Sequence, residues 1–313
     1  MSVRRTMLGL ALVTGLAGCG TLPPLIPGLP RPEPATSATT PASGSPSASP
    51  KPAPTAAPTP SSAGQTFTVA AAEQAFRQWV AAYNKALKKP KWWRSDDTVD
   101  ALFTEGALHE GVLERTREAM GRGPGHRPIA VQGAPVIYLV RPENQPGFAD
   151  WFMAQATYQD AEGKVRRHLL SFLRRREESS FKLAVATPVH SGRRVPEAAL
   201  DADGYISMPG NAIALAVTLE YQNFWNHEKE GQSGYRLAKD SFSRKAFPEV
   251  SKGAYVAFKG RGSIYGFTTA GGGSFFLFAM LNDTQHVNQV LSEAVLVPKG
   301  ADTIQEIGAN WFS

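Results

Sequence analysis

The sequence predicts an α+β fold of two similar halves, each with N-terminal helices packed on an antiparallel, curved sheet. Three observations lead there. The hydrophobic period changes from helical to alternating near residue 130 and again near residue 250. The strand candidates follow one another with short connections, as in a meander. The order of helices then strands occurs twice, and about 120 residues per half is an ordinary size for a module.

The first half opens with "AAAEQAFRQWVAAYNKAL" (70–87), in which Phe76, Trp79, Val80, Tyr83 and Leu87 make one apolar stripe. Alanine fills much of the rest and favours the helix, and Pro90 ends it. A shorter helix is expected over 96–108, with Asp96 or Asp97 near its start, and a third over 110–120. "GRGPGHRP" (121–128) breaks the chain. Strands are expected over 134–140, 151–160, 164–176 and 181–189. In the second of these Phe152, Ala154, Ala156 and Tyr158 share a face, and in the last Phe181, Leu183 and Val185 do.

The second half begins with a helix over 211–230, with Asn211 as its N-cap and Ile213, Val217, Tyr221 and Phe224 as its stripe. A short helix within 234–247 comes next. Strands are expected over 253–259, 262–269 and 274–281, with "AGGG" (270–273) as a hairpin turn. Residues 286–298 fit either a strand or a helix.

This element order resembles the cone-shaped fold of the nuclear-transport-factor-two-like (SnoaL-like) superfamily across 70–190, and less clearly across 200–313. The resemblance implies a bent sheet around a long helix, with a pocket inside. It implies no single activity, because that superfamily holds isomerases, dehydratases and plain binding modules.

The N-terminus carries a different signal. Arg4 and Arg5 precede the short apolar run "MLGLALVTGLAG" (7–18), the pattern of an export signal and too short for a comfortable membrane span. Leu16-Ala17-Gly18-Cys19 resembles a bacterial lipobox, which implies cleavage before Cys19 and a diacylglycerol on its sulfur. Cys19 is the sole cysteine, so a disulfide within one chain is excluded. The other reading is a chance cysteine after an ordinary signal peptide. "RRTML" (4–8) also has a twin-arginine flavour.

Residues 20–64 hold 13 of the 24 prolines and no aromatic residue. Such a stretch cannot bury enough apolar surface to fold, and proline biases it towards polyproline II. At roughly 3.1 Å per residue, it spans on the order of 140 Å when fully extended. The expected domains are therefore a signal peptide (1–18), a lipidated cysteine and tether (19–65), and two α+β modules (66–192 and 193–313). Leader, tether and Ala/Pro/Arg-rich composition together resemble secreted actinobacterial lipoproteins of unknown function.

Net charge is +6; without Arg4 and Arg5, 31 basic side chains face 27 acidic ones, a net of +4. Nucleic-acid binders show denser basic faces, so no nucleic-acid partner is expected. The expected partners are a membrane, through the lipid, and a cell-wall polymer or envelope protein.

No catalytic signature stands out. The histidines at 109, 126, 168, 190, 227 and 286 show no paired ligand spacing. His109-Glu110 and His227-Glu228 are adjacent pairs, which diverge by about 100° on a helix. Neither metal nor cofactor is expected. Ser263 and Ser274 lack a nucleophile setting and read as hairpin residues. The Gly/Arg loops at 121–125 and 259–263 offer backbone N–H groups to an anion but are no P-loop. "LRRREES" (173–179) reads as a solvated strand edge. In a cone pocket, Tyr83, Tyr158 and His168, or Glu220, Tyr221 and Tyr265, are candidates for acid/base work. The pairs Trp92-Trp93 and Phe224-Trp225 fit a pocket mouth, a core plug or the seam between halves. The favoured reading is a non-catalytic, ligand- or partner-binding surface lipoprotein. The alternatives are an acid/base enzyme and a wall-associated scaffold.

Overall fold

The computed structural model describes residues 67–160, 162–226, 230–250, 257–284 and 287–313, all within the unit Ser62–Ser313. Cys19, the tether, His227, His286 and most of the strand expected over 253–259 lie outside them.

Helix α1 (Val69–Leu87) starts at Thr68, whose hydroxyl accepts from the Ala71 N–H at 3.2 Å. It buries Ala72, Phe76, Trp79, Tyr83 and Ala86, one face at helical spacing. Helix α2 (Asp96–Leu102) is capped by Ser95, with Asp96 and Asp97 placed in the first turn, where the helix dipole favours acids. It stops earlier than the apolar spacing predicts. Phe103 and Thr104 are extended, because Phe103 bridges Leu183 and the Thr104 N–H donates to the Leu183 carbonyl at 2.8 Å. Helix α3 (Glu105–Ala119) follows at once, so the helix break falls at 103–104 instead of at residue 109.

Strands β1 (Gln132–Leu139), β2 (Ala149–Gln159), β3 (Val165–Arg175) and β4 (Lys182–Pro188) form an antiparallel sheet in chain order. Phe152, Ala154, Ala156 and Tyr158 do face one side together. Val185 does not share a face with Leu183. Phe172 pairs Leu183 while Ser171 pairs Val185, so a bulge at Ala184 turns Val185 to the opposite side.

In the second half, α4 (Asn211–Trp225) is preceded by Gly210 as N-cap, and Asn211 is its first helical residue without a capping side chain. Then come β5 (Arg236–Leu237), α5 (Phe242–Val250), β6 (Phe258–Thr268), β7 (Ser274–Thr284), β8 (Val287–Val297) and β9 (Thr303–Phe312). The second sheet has the order β5-β9-β8-β7-β6, with β5 parallel to β9. The segments expected as two strands around residue 260 are one strand, β6, with an irregularity between Arg261 and Tyr265. The ambiguous stretch near 290 is strand β8. Strand β9 has no counterpart among the sequence expectations.

Three apolar layers hold these elements together. Phe76, Trp79 and Tyr83 of α1 pack on Phe152, Ala154 and Phe172 of the first sheet. Tyr221 and Trp225 of α4 pack on Phe276, Phe278 and Leu291 of the second. Between the sheets, Trp151, Met153 and Leu169 meet Tyr265, Phe267 and Leu277. Tyr138 stacks on Phe267 with centroids 4.8 Å apart, and Trp151 meets the Tyr265 ring edge-on at 5.3 Å. The order is thus helices, sheet, sheet, helices.

Two further devices join the halves. The segment 189–208 runs between the sheets' edges: the Ile206 N–H donates to the Leu139 carbonyl at 2.9 Å, and the Ala199 N–H to the Thr268 carbonyl at 2.8 Å. Helix α3 reaches from the β4 edge onto the second sheet. Its first residue, Glu105, sits at φ +50° and accepts from the Ser263 N–H (3.1 Å), the Ser263 hydroxyl (2.8 Å) and the Tyr265 hydroxyl (2.8 Å). Left-handed backbone at a residue with a side chain costs about 1–3 kcal/mol, and these three hydrogen bonds offset it. Gly106 permits the contact, since a Cβ there would lie 2.3 Å from the Ala279 Cβ. Replacing Gly106 by alanine should lower stability by about 1–3 kcal/mol through overpacking, seen as a drop in Tm with far-UV dichroism retained. An unchanged Tm would mean that α3 and β7 are not tightly apposed.

Candidate functional site

Between the first half and β9, the elements α1, α3, the 121–128 loop, β2–β4 and β9 line a half-open cavity of about 150 Å³. That is the size of a cavity that accepts a benzene-sized molecule.

Each wall arises from local sequence. Tyr83 belongs to the buried stripe of α1. Glu110 and Glu114 lie four residues apart on α3, on the face that also buries Gly106, Ala107 and Gly111. The Gly- and Pro-rich loop brings His126 back over Glu114: the His126 N–H donates to Glu114 Oε1 at 2.8 Å, and His126 Nδ1 lies 2.5 Å from the same oxygen. The imidazole is walled by Trp92, Phe103 and Phe312, with ring centroids 5.3, 5.4 and 5.1 Å away. Phe312 fits because residue 125 is glycine; a Cβ there would come within 2.4 Å of its ring.

Across the cavity, Tyr158 of β2 stacks on His168 of β3 with centroids 3.8 Å apart. His168 Nδ1 lies 3.0 Å from the Arg166 carbonyl, which can only accept, so Nδ1 carries the proton and Nε2 is left as an acceptor. Burial pulls the His168 pKa down to about 4 and holds the ring neutral. Burial pushes the Tyr83 and Tyr158 hydroxyls up, with the Glu110 charge adding to both, so each remains a donor.

Glu110 is 5% exposed. Its Oε1 accepts from the Ser292 hydroxyl at 3.3 Å, and Asn310 is a second partner. Burial pushes its pKa up to about 8, with the neighbouring Glu114 raising it further and the Ser292 and Asn310 hydrogen bonds opposing. The site therefore offers a carboxylic acid, two phenols, a neutral imidazole acceptor and a Glu114–His126 dyad around one small space. Among the described residues, no group of histidines, cysteines and acids is placed to hold a metal.

Of the residues singled out from sequence, Tyr83, Tyr158 and His168 meet in this cavity. Trp92 backs the His126 ring and does not line the cavity, and Trp93 is half-buried with its indole N–H unpartnered. Tyr221, Phe224 and Trp225 pack between α4 and the second sheet. Tyr265 lies in the seam, bonded to Glu105. Glu220 is buried but is used by the Gly231 N–H (2.7 Å) and the Ser233 hydroxyl (2.8 Å). The Ser263 hydroxyl is likewise taken, by Glu105. Sequence reasoning missed Glu114, His126, Asn310 and Phe312, and weighed Glu110 only as a metal-ligand neighbour of His109. A signal for the acids existed: Glu110 and Glu114 share a helical face with small residues suited to close packing.

Fold and site together define an α+β protein with a small, acid-, tyrosine- and histidine-lined cavity between its helices and a sheet. Residues 63–219 match a domain of unknown function, DUF8094, and the chain belongs to that family. The match covers the first half, the joining segment and most of α4, whereas Asn310 and Phe312 of the cavity, and the Ser292 that donates to Glu110, lie beyond it. No curated protein and no solved structure matches the chain.

Two pH effects follow. Glu110 holds its proton more tightly folded than unfolded, so its contribution to stability falls as pH rises from about 4.5 to about 8. Glu110→Gln removes that dependence. In urea unfolding, wild type should lose on the order of a few kcal/mol relative to the variant between pH 5 and pH 8; a constant difference would mean that the carboxyl is not held neutral. His168 has the opposite sign: its contribution is lost as pH falls from 6.5 to about 4. His168→Phe keeps a ring against Tyr158 and should flatten the acid limb of the stability profile.

Proposed function

We propose that this chain is a surface lipoprotein that binds a small polar molecule in the cavity of its first half. Cys19 carries the lipid, and the proline-rich stretch up to residue 65 holds the folded unit away from the membrane. The lipobox-like Leu16-Ala17-Gly18-Cys19 with its charged and apolar leader supports the anchor. One observation carries the binding role. Glu110, Tyr83, Tyr158 and two imidazoles converge on a space of about 150 Å³ from two helices, two strands and a loop, the mixture of apolar wall and few polar groups that ligand sites use. The long α1 lying over a sheet, with the cavity between, supports the likeness to the nuclear-transport-factor-two-like cone.

A second reading, acid/base catalysis, is favoured by one specific observation. A carboxyl poised near neutrality stands beside two phenols and an oriented histidine, a set suited to giving and taking a proton.

Two experiments test the proposal. Cys19→Ala should abolish the acyl mass and release the protein from membranes; unchanged membrane retention would refute the anchor. Native mass spectrometry of protein isolated from cell envelopes should show a bound small molecule, and Ala186→Phe, which fills the cavity from β4, should reduce its occupancy at least tenfold. Equal occupancy in both proteins would place the ligand elsewhere. Turnover of that molecule, lost in Glu110→Gln, would select the catalytic reading.

A further inference from the structure

The first cavity rests on four groups. They are a tyrosine of the long helix (Tyr83), a deep carboxyl bonded to a serine (Glu110 with Ser292), a second glutamate accepting a backbone N–H (Glu114), and a histidine on that glutamate (His126). The second half assembles the same four from different elements. Tyr221 comes from α4. Glu293 of β8 accepts from the Ser243 hydroxyl at 2.9 Å. Glu306 of β9 accepts the Phe242 and Ser243 N–H groups, each at 3.1 Å, at the start of α5. His190 of the joining segment places Nε2 2.8 Å from Glu306 Oε1.

These groups are unequally supplied. Glu293 and Glu306 are 0% and 1% exposed and share the sheet face under α4 and α5. Burial, with the Glu306 carboxylate beside it, pushes the Glu293 carboxyl well above the usual carboxylate range. Glu306 accepts from two backbone N–H groups at the N-terminal end of a helix and faces an imidazole. Glu293 has one hydroxyl donor, and its Oε2 is buried without a partner. The Tyr221 hydroxyl, also buried without a well-formed hydrogen bond, lies against both carboxyls. His190 is a quarter exposed and, with Glu306, Arg193, Asp240 and Lys245, lines an open cavity of about 460 Å³. Arg193 pairs with Asp240 at that mouth.

We propose that the second half holds a second, proton-exchanging site, in which Glu293 carries a proton that reaches the surface cavity through Tyr221, Glu306 and His190. Its ligand is the proton, delivered by water or by a small weak acid that fits the cavity. The balance is simple. His190 takes a proton at Nδ1 and passes the one on Nε2 to Glu306, and the Tyr221 hydroxyl accepts from Glu306 while donating to Glu293. The reverse sequence empties the site. This inference goes beyond the first cavity and does not depend on it.

Infrared spectroscopy of the full chain tests it, with D₂O as the probe. At neutral pH a protonated-carboxyl C=O band should be present and be missing from Glu293→Gln; Glu110 contributes a separate band, removed by Glu110→Gln. On transfer to D₂O the Glu293 band should shift, and His190→Phe should slow that shift at least tenfold. A Glu293→Gln spectrum with no band lost overturns the proposal, as does an exchange rate that His190→Phe leaves unchanged. If Glu293→Gln does not fold, wild type is treated at neutral pH with dicyclohexylcarbodiimide, which attacks protonated carboxyls, and mapped by mass spectrometry. An adduct on Glu293 and none on Glu306 supports the proposal, and an unmodified Glu293 overturns it.

Discussion

Both sheets are apolar on both faces, and that constraint governs the molecule. Along β2, Trp151 and Met153 face one way while Phe152 and Ala154 face the other, and all four are buried. A sheet of this kind needs a cover on each side. Helices α1 and α4 each cover one face, and among the described residues only α3, at one edge, adds helical cover to the remaining faces. The sheets supply the rest for each other. Separated, each half would present an apolar patch far larger than a soluble surface tolerates. The halves are similar in plan yet share one interior, and the family match ending at residue 219 stops short of the strands that complete it.

The same packing creates the chemistry of the first cavity. Helix α3 is held on the second sheet by the Glu105 hydrogen bonds and by the close approach at Gly106. That contact carries Glu110 out of water and presents it to Ser292 and Asn310. Burial makes its proton hard to remove, while the two polar partners keep its geometry fixed. The environment that raises the Glu110 pKa is thus partly set by the second half, although the residue belongs to the first. Phe312 extends the dependence: it closes the wall behind His126 and lies under the Arg117 guanidinium, 5.1 Å from its ring centroid.

What was legible in sequence follows from how much of each signal is local. Helix α1 was plain because its buried stripe is aromatic and its exposed face is not. Strands β2 and β7 were plain because both faces are apolar. Strand β9 was hidden because Glu306 and Gly308 interrupt its alternation. Both have structural reasons: Glu306 accepts the first N–H groups of α5, and a Cβ at residue 308 would lie 2.3 Å from the Pro188 carbonyl oxygen. Glu110 enters the sequence reading only as the neighbour of His109 and Glu114 not at all, because the strand that buries them is remote in the chain and the one local mark is the run of small residues on their helical face. The break at residues 103–104 and the bulge at Ala184 are likewise imposed by partners remote in the chain.

The cavity walls run in the chain from Trp79 to Phe312, and Glu110 meets its serine 182 residues downstream. Such a site appears late in the life of a nascent chain. When β4 has emerged and β7 has not, the first sheet is already apolar on a face with nothing to lie against, and Glu110 is still in water. Closure over so long a span is slow, and the waiting intermediate is prone to stick to its neighbours. The cavity is complete only once β9 has brought Asn310 and Phe312 against the first half.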